Sequence, residues 1–232
     1  MTTLDERILR ARRLLAGVEK NYSAAVLEST FGAEDMVVLD LIARDGLAIG
    51  IATVDTGRLP RQTMQFVDAV RHRYGIEVAV YSPWPDSVSA HVEENGGHGF
   101  YEGVAQREAC CAVRRDEPLR RMLAGKRGWV TAARGDAEEP LRQDAYRDPA
   151  TGIWKFHPLA GWPEDEVWTY LHANGVPYHP LHKQGYATIG CEPCTRALRR
   201  GEHPRTARWW WEQPDARQVK VVPIHPREEV AA

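Results

Sequence analysis

At 232 residues and 43% hydrophobic content, the chain is long enough to bury a substantial core, and it suits one α/β domain with a C-terminal elaboration better than two full domains. A formal charge of -2 argues against a binder driven by phosphate neutralisation, so no nucleic-acid partner is expected and local basic clusters matter more than the sum. The first ten residues alternate charged with apolar positions, so neither a secretory leader nor a membrane span is expected, and four cysteines favour metal or redox chemistry over disulfides, so a cytoplasmic location without membrane contact is expected.

Residues 4–16 place Leu4, Ile8, Leu9, Ala11 and Leu15 at helical spacing with Arg7, Arg10, Arg12 and Arg13 turned outward, which predicts a leading helix. Short apolar runs follow at Ala24-Ala25-Val26-Leu27, Ile49-Gly50-Ile51-Ala52-Thr53-Val54, Val78-Ala79-Val80-Tyr81 and Trp129-Val130-Thr131-Ala132-Ala133, separated by helical periodicity around 35–44 and 61–74. Strands alternating with helices predict an α/β fold, a parallel sheet covered by helices on both faces. Beyond Pro140 the alternation lapses and Pro, Trp and His become frequent, which predicts an irregular C-terminal segment folded back over the sheet. His157, His179 and His182 are read as structural, and Trp209-Trp210-Trp211 as packing anchors.

Ligands of such sheets sit outside the carboxyl ends of the strands, where two loops fall. The first strand runs into Ser29-Thr30-Phe31-Gly32-Ala33-Glu34-Asp35. Hydroxyls, a glycine allowing close backbone approach and the free amides of a helix start favour an anion such as a phosphate, although an N-capped helix after a tight turn looks the same. The second strand runs into Asp55-Thr56-Gly57-Arg58, where Asp55 can orient a ribose or base and Arg58 can reach a phosphate; the plain alternative is an Asp-capped turn. Two such loops on one edge favour a nucleotide site lined by Ser29, Thr30, Phe31, Gly32, Asp55, Thr56 and Gly57.

The cysteines stand as two close pairs, Cys110-Cys111 and Cys191-Glu192-Pro193-Cys194. Neighbours on a helix point about 100° apart, so adjacent thiolates can reach different corners of a cluster. Zinc usually takes cysteines spaced by two to four residues, which only the second pair satisfies; four cysteinyl ligands are also what a 4Fe-4S cluster requires. Two buried pairs of free cysteines are the third reading, and the cluster is preferred. Arg114, Arg115, Arg196, Arg199, Arg200, Arg205 and Arg208 surround the pairs, either as an exposed basic face or, the preferred reading, as compensation for thiolates and an anionic substrate.

These motifs, with Gly190-Cys191-Glu192-Pro193-Cys194-Thr195-Arg196 and Arg208-Trp209-Trp210-Trp211-Glu212, closely resemble the bacterial assimilatory adenylylsulfate reductases, members of the sulfonucleotide reductase family. The resemblance covers nearly the whole chain up to Glu212. It implies a Rossmann-like fold of the adenine nucleotide alpha hydrolase type, a reductase-like domain over residues 1–212 and a divergent tail over 213–232. It also implies a 4Fe-4S cluster on Cys110, Cys111, Cys191 and Cys194, adenosine 5'-phosphosulfate as substrate, and a homo-oligomer. Matched residue by residue, Arg142 falls where the family's loop arginine meets the phosphosulfate, Arg205 and Arg208 match the pair before the tryptophan run, and Arg115 stands where the family has a lysine near the cluster.

Two segments depart from the family pattern. Where the family has Arg-Arg followed by Gln-Ser, this chain reads Ala133-Arg134-Gly135-Asp136-Ala137-Glu138-Glu139-Pro140, adding negative charge beside an anion site. The family's Glu-Cys-Gly-Leu-His tail, whose cysteine attacks the sulfur, has no counterpart in residues 213–223, and neither Gln218 nor Lys220 replaces a thiolate. The expected function is reduction of adenosine 5'-phosphosulfate to sulfite and AMP in sulfate assimilation and cysteine biosynthesis, with the attacking thiol supplied in trans by thioredoxin or a small-molecule thiol. Two alternatives stand beside it: a nucleotide-dependent sulfur-transfer or adenylylating enzyme, and a non-catalytic binder sensing the sulfonucleotide or the cluster.

Overall fold

The computed structural model describes residues 3–135, 141 and 143–212. Helix α1 (Leu4–Asn21) starts at a capping box in which Thr3 accepts from the Glu6 amide and Glu6 from the Thr3 amide. It passes the predicted end at residue 16 because Val18 extends the buried stripe of Ala11 and Leu15. Strand β1 (Val26–Glu28) starts later than its apolar run, since Ala24 has φ 67°, a left-handed conformation that cannot pair in a sheet.

Helix α2 (Ala33–Arg44), β2 (Gly50–Val54), α3 (Arg61–Tyr74) and β3 (Val78–Tyr81) follow in the predicted alternation. Pro60 precedes α3 and the left-handed Gly75 closes it, which is why its bounds are those of the periodic run. Then come α4 (Pro85–Asn95), α5 (Val104–Cys111), one turn of π-helix (Ala112–Asp116), α6 (Glu117–Leu123) and β4 (Gly128–Val130).

The irregular C-terminal segment expected beyond Pro140 begins later, after residue 173, from where the described residues up to 212 form loops and short 3-10 turns. Residues 145–173 hold β5 (Ala145–Arg147), β6 (Trp154–Phe156) and α7 (Glu164–Ala173). Three-residue strands are too short to display a period. The six strands are ordered β3-β2-β1-β4-β6-β5, all parallel except β5, which pairs antiparallel with β6 at the edge. The sheet is therefore mostly rather than wholly parallel.

Strand side chains alternate between two apolar clusters, as the pleat requires. Leu27, Ile51, Val130 and Phe156 pack with α1, α2, α3 and α7, whereas Val26, Ala52 and Trp129 pack with Leu119, Met122 and Leu123 of α6. No helix of the described residues is long and apolar enough to cross a membrane. The chain leaves β1 toward β2 on one side and returns to pair β4 on the other, so the strand order reverses at the β1–β4 boundary, where doubly wound sheets open a crevice.

Candidate active site

A cavity of about 470 Å³ opens at that boundary, lined by Thr30, Gly32 and Asp35 after β1, Arg134 after β4, and Ile189 and Arg208 from the C-terminal segment. Ser29 and Phe31 stand behind it. Phe31 is fully buried, meets Phe66 edge-on at 6.3 Å between ring centroids, and holds φ 62°. A bulky residue kept left-handed inside the core fixes this turn, the sort of local strain that gathers at functional loops. Ser29 Oγ accepts the Phe31 amide at 3.0 Å.

Three of the loop's donors converge on one carboxylate. Asp35 Oδ2 accepts from the Thr30 amide at 2.8 Å, the Thr30 hydroxyl at 2.8 Å and the Gly32 amide at 3.2 Å. Burial pushes this carboxyl up to about 6, against the opposing pull of those hydrogen bonds. An internal carboxylate thus occupies the Thr30 hydroxyl and the Thr30 and Gly32 amides, which are then not offered to a phosphate.

The second loop turns toward the cysteines. Thr56 Oγ1 stands 3.1 Å from Cys191 Sγ, Thr56 O accepts from Arg114 at 3.1 Å, and Arg58 O accepts the Glu192 amide at 2.8 Å. Gly57, at φ 69°, leaves room for Arg114 Nη1 3.4 Å from where a Cβ would be. Asp55 Oδ1 accepts the Gly57 amide at 2.9 Å, closing the turn. Asp55, Thr56 and Gly57 therefore share the edge with the cavity but lie against the Cys191–Cys194 turn.

All four cysteines gather there as free thiols, Cys110 and Cys194 buried and packed with Phe100, Cys191, Trp209 and Trp211. The π-helical turn directly after Cys111 re-aims the following residues, a distortion frequent at functional sites. It buries Arg114 among Thr56, Arg58 and Cys110. Burial pushes the Cys110 and Cys111 thiols up, and burial plus the other three sulfurs pushes Cys194 up to about 12. Among the described residues no group of three or more His, Cys, Asp or Glu side chains converges on a single metal ion.

Arg208 joins the two regions. It lines the cavity, its Nε is buried without a hydrogen-bond partner among the described residues, and its charge is felt by Cys111, Cys191 and Cys194. Burial, then Arg115, lowers its pKa. The guanidinium carbons of Arg107 and Arg208 sit 4.4 and 4.8 Å from the Trp209 ring centroid. Arg115 is half-exposed and paired with Asp116 at 3.2 Å and Glu28 at 3.5 Å. Arg205 stands in the turn Pro204–Ala207 that leads into Arg208. Arg142, the segment 136–140 and the tail 213–232 lie outside the described residues.

Two arginines carry more of this geometry than their sequence context announced. Arg114 was legible only as one member of a basic run, and Arg58, stacked 4.6 Å from the Phe100 ring centroid, only as a phosphate-reaching side chain. His157 and His179 are buried and bonded to Thr131 and Thr63, in keeping with a structural role.

A crevice at the switch point of such a sheet, walled by an arginine whose charge reaches three of the four cysteines, fits the sulfonucleotide reductase class. The chain belongs to the phosphoadenosine phosphosulfate reductase domain family, whose sequence profile matches residues 24–197. It is 44% identical over 231 residues to the adenosine 5'-phosphosulfate reductase of Allochromatium vinosum, spanning 97% of this chain and 88% of that protein. To the protein of the same name from Burkholderia cepacia it is 41% identical over 236 residues, spanning 99% and 94%. Among solved structures, phosphoadenylyl-sulfate reductase from Candida auris in its phosphate complex superposes with a TM-score of 0.71 at 21% identity, over 83% of this chain and 96% of that one. Yeast FAD synthetase with FAD gives 0.59 at 14%, over 84% and 67%. At these identities the two structures speak for the fold alone.

Proposed function

We propose that the protein is a cytoplasmic, thiol-dependent oxidoreductase that reduces adenosine 5'-phosphosulfate to sulfite and AMP in sulfate assimilation. The observation that carries this reading is Arg208, which lines the nucleotide-sized cavity on one side and lies close to three cysteine sulfurs on the other. A guanidinium there takes the anionic end of an adenylate whose nucleoside rests by Thr30 and Gly32, and turns the sulfate toward the cysteines.

Cys110, Cys111, Cys191 and Cys194 would hold a 4Fe-4S cluster. A cube is held by one thiolate per iron, so its ligands stand at separate corners and need not converge on one ion. Sulfurs whose thiols are pushed up by burial and by one another become favourable thiolates once iron supplies positive charge. Trp209 Nε1 and Trp211 Nε1 are buried beside them without a partner among the described residues, donors that cluster sulfurs would satisfy. When bound, the cluster supplies a fixed field at the sulfate end of the cavity.

The reaction needs two thiols. One thiolate attacks the sulfate sulfur; an S–S bond forms as the S–O bond to phosphate breaks, and AMP leaves. A second thiol attacks the first thiol's sulfur, a disulfide forms and sulfite departs, so sulfur(VI) becomes sulfur(IV) as two thiols are oxidised. Arg208 stabilises the charge that grows on the departing phosphate oxygen. With four cysteines assigned to the cluster and no other among the 232 residues, the attacking thiol comes from outside them, from a thioredoxin-type protein or a small thiol.

The test is anaerobic incubation of the protein with adenosine 5'-phosphosulfate and thioredoxin, glutathione or no reductant, followed by sulfite determination. Sulfite that depends on added thiol is expected. Tight binding with no sulfite under any reductant would replace the enzyme with a binder, and pyrophosphate release from ATP would replace it with an adenylylating enzyme.

A further inference from the structure

Residues 96–103 join α4 to α5 and lie against the buried cysteines: Phe100 packs with Cys110 and Cys194 in one apolar cluster. Four of these eight residues are glycine. Among the described residues, every backbone-to-backbone hydrogen bond of the segment stays between residues 92 and 107, so no ladder ties its main chain to the rest of the fold. A few side chains fasten it instead. Tyr101 Oη donates to Pro193 O, inside the Cys-Glu-Pro-Cys turn, at 3.1 Å, and the Tyr101 ring meets Trp211 edge-on at 4.6 Å. Arg58 donates to Gly97 O and stacks on Phe100. Segments held by so few remote contacts are the ones that open locally, at a cost far below that of global unfolding.

Gly96, at the α4 end, has φ 73° and ψ 157°, a backbone region essentially restricted to glycine. A Cβ there would meet nothing within 4 Å, so this glycine serves the path of the chain and not its packing. The four sulfurs are also unequally covered: Cys110 and Cys194 are buried, whereas Cys111 and Cys191 are half-buried.

We propose that residues 96–103 form a gate over Cys110 and Cys194, hinged at Gly96 and latched by Tyr101 on Pro193. Its purpose rests on the cluster reading above: a ligand set with two sulfurs under cover fills only when the cover lifts, and the closed cover then shields the metal from solvent and chelators. The latch is one neutral hydrogen bond on a side chain that is itself exposed at the surface, so a brief opening is within thermal reach.

The test is alkylation by iodoacetamide of the full chain, reduced and stripped of iron under anaerobic conditions, with peptide fragmentation giving the rate at each cysteine. Cys111 and Cys191 are expected to react at least ~10-fold faster than Cys110 and Cys194; equal rates at all four would mean that nothing is covered. The slow rates should stay flat up to ~1 M urea, because a local opening exposes little surface. Slow rates that climb with urea as global unfolding does would overturn the gate, and this arm needs no variant. Tyr101→Phe should speed Cys110 and Cys194 by roughly 3- to 10-fold, the worth of one neutral hydrogen bond. Gly96→Ala, which touches neither Pro193 nor any cysteine, should speed them by at least ~5-fold through its backbone alone. Acceleration by Tyr101→Phe without Gly96→Ala would assign the motion to the Cys191–Cys194 turn, and acceleration by neither would show a fixed cover; both results overturn the gate. On iron-loaded protein the same two variants should hasten iron release to a chelator by similar factors. A chain that holds no iron would end the cluster reading, while the alkylation rates would still decide the gate.

Discussion

Thr56 Oγ1 and Cys191 Sγ meet at 3.1 Å, tying the turn after β2 to the Cys-Glu-Pro-Cys segment 135 residues further along the chain. The same hydroxyl accepts the Arg58 amide at 3.2 Å, which uses an oxygen lone pair and leaves the hydroxyl proton free for the sulfur. Against a thiolate, which has no proton to give, Thr56 must be the donor. Thr56→Val keeps the shape and deletes that donor. Hydrogen bonds to charged groups contribute about 1.5–3 kcal/mol, so iron of the cluster proposed above should be lost to a chelator roughly ten times faster or more, followed by the decay of visible absorbance. An unchanged decay would mean that the hydroxyl does not support the thiolate.

Arg208 and Arg115 should separate in a binding experiment although both are basic residues near the cysteines. Arg208 is largely withdrawn from water, with Nε unpartnered among the described residues, whereas Arg115 is half-exposed and spends its charge on Glu28 and Asp116. Arg208→Ala should weaken AMP or adenosine 5'-phosphosulfate binding by about 1.5–3 kcal/mol, the worth of a charged hydrogen bond. Arg115→Ala should cost less than about 1 kcal/mol, as for exposed ion pairs. Arg208→Lys should restore only part of the loss, because an ammonium cannot reproduce the planar fork. Titration calorimetry decides; equal losses at the two positions would show that Arg208 has no privileged place in the cavity.

What the sequence made legible follows from range. Helix α3 was readable to the residue because its stripe, its preceding Pro60 and its closing Gly75 are all local. The cysteine pairs were readable as a set because their number and spacing are local too. The partners of Thr56, Arg58 and Arg114 were not, since each lies across a long loop closure that no period encodes. Asp35 shows the same limit in a short segment. Its helix-start position was visible, but that one oxygen gathers three donors of the preceding loop, and so denies them to a phosphate, depends on the left-handed Phe31 turn. Strands β5 and β6 were hidden for a different reason: three residues give too little alternation, and their stability comes from pairing onto β4.

Asp35 also makes a stability prediction. Its carboxyl is raised from the ordinary 3.8 to about 6, with burial as the leading cause. A raised folded-state value means a contribution fully present below about pH 4 and lost as pH rises through about 6. A shift of about two units corresponds to about 3 kcal/mol. Asp35→Asn does not titrate, so the stability of wild type relative to this variant should fall by about 3 kcal/mol between pH 4 and pH 8, measured by denaturant unfolding at each pH. Parallel stability curves would show that the carboxyl ionises without cost.

His157 and His179 run the opposite way. Both are buried and held down to about 4, burial being the leading cause in each. In His179, Nδ1 accepts the Leu181 amide at 3.2 Å, so the ring proton sits on Nε2 toward Thr63 Oγ1 at 3.1 Å. Protonating Nδ1 would set a new N–H against the Leu181 N–H in a site walled by Phe66, whose ring centroid is 5.4 Å away. A depressed folded-state value gives stability present above the ordinary 6.5 and lost as pH falls toward 4, up to about 3 kcal/mol for each ring. Unfolding free energy should therefore drop steeply between pH 6.5 and 4. His179→Gln should be less stable at pH 7, where a core contact is lost, yet shed about 3 kcal/mol less than wild type over that interval. If the variant and the wild type lose stability in step, the buried imidazole is not the group that titrates, and the acid sensitivity of the fold must be sought elsewhere.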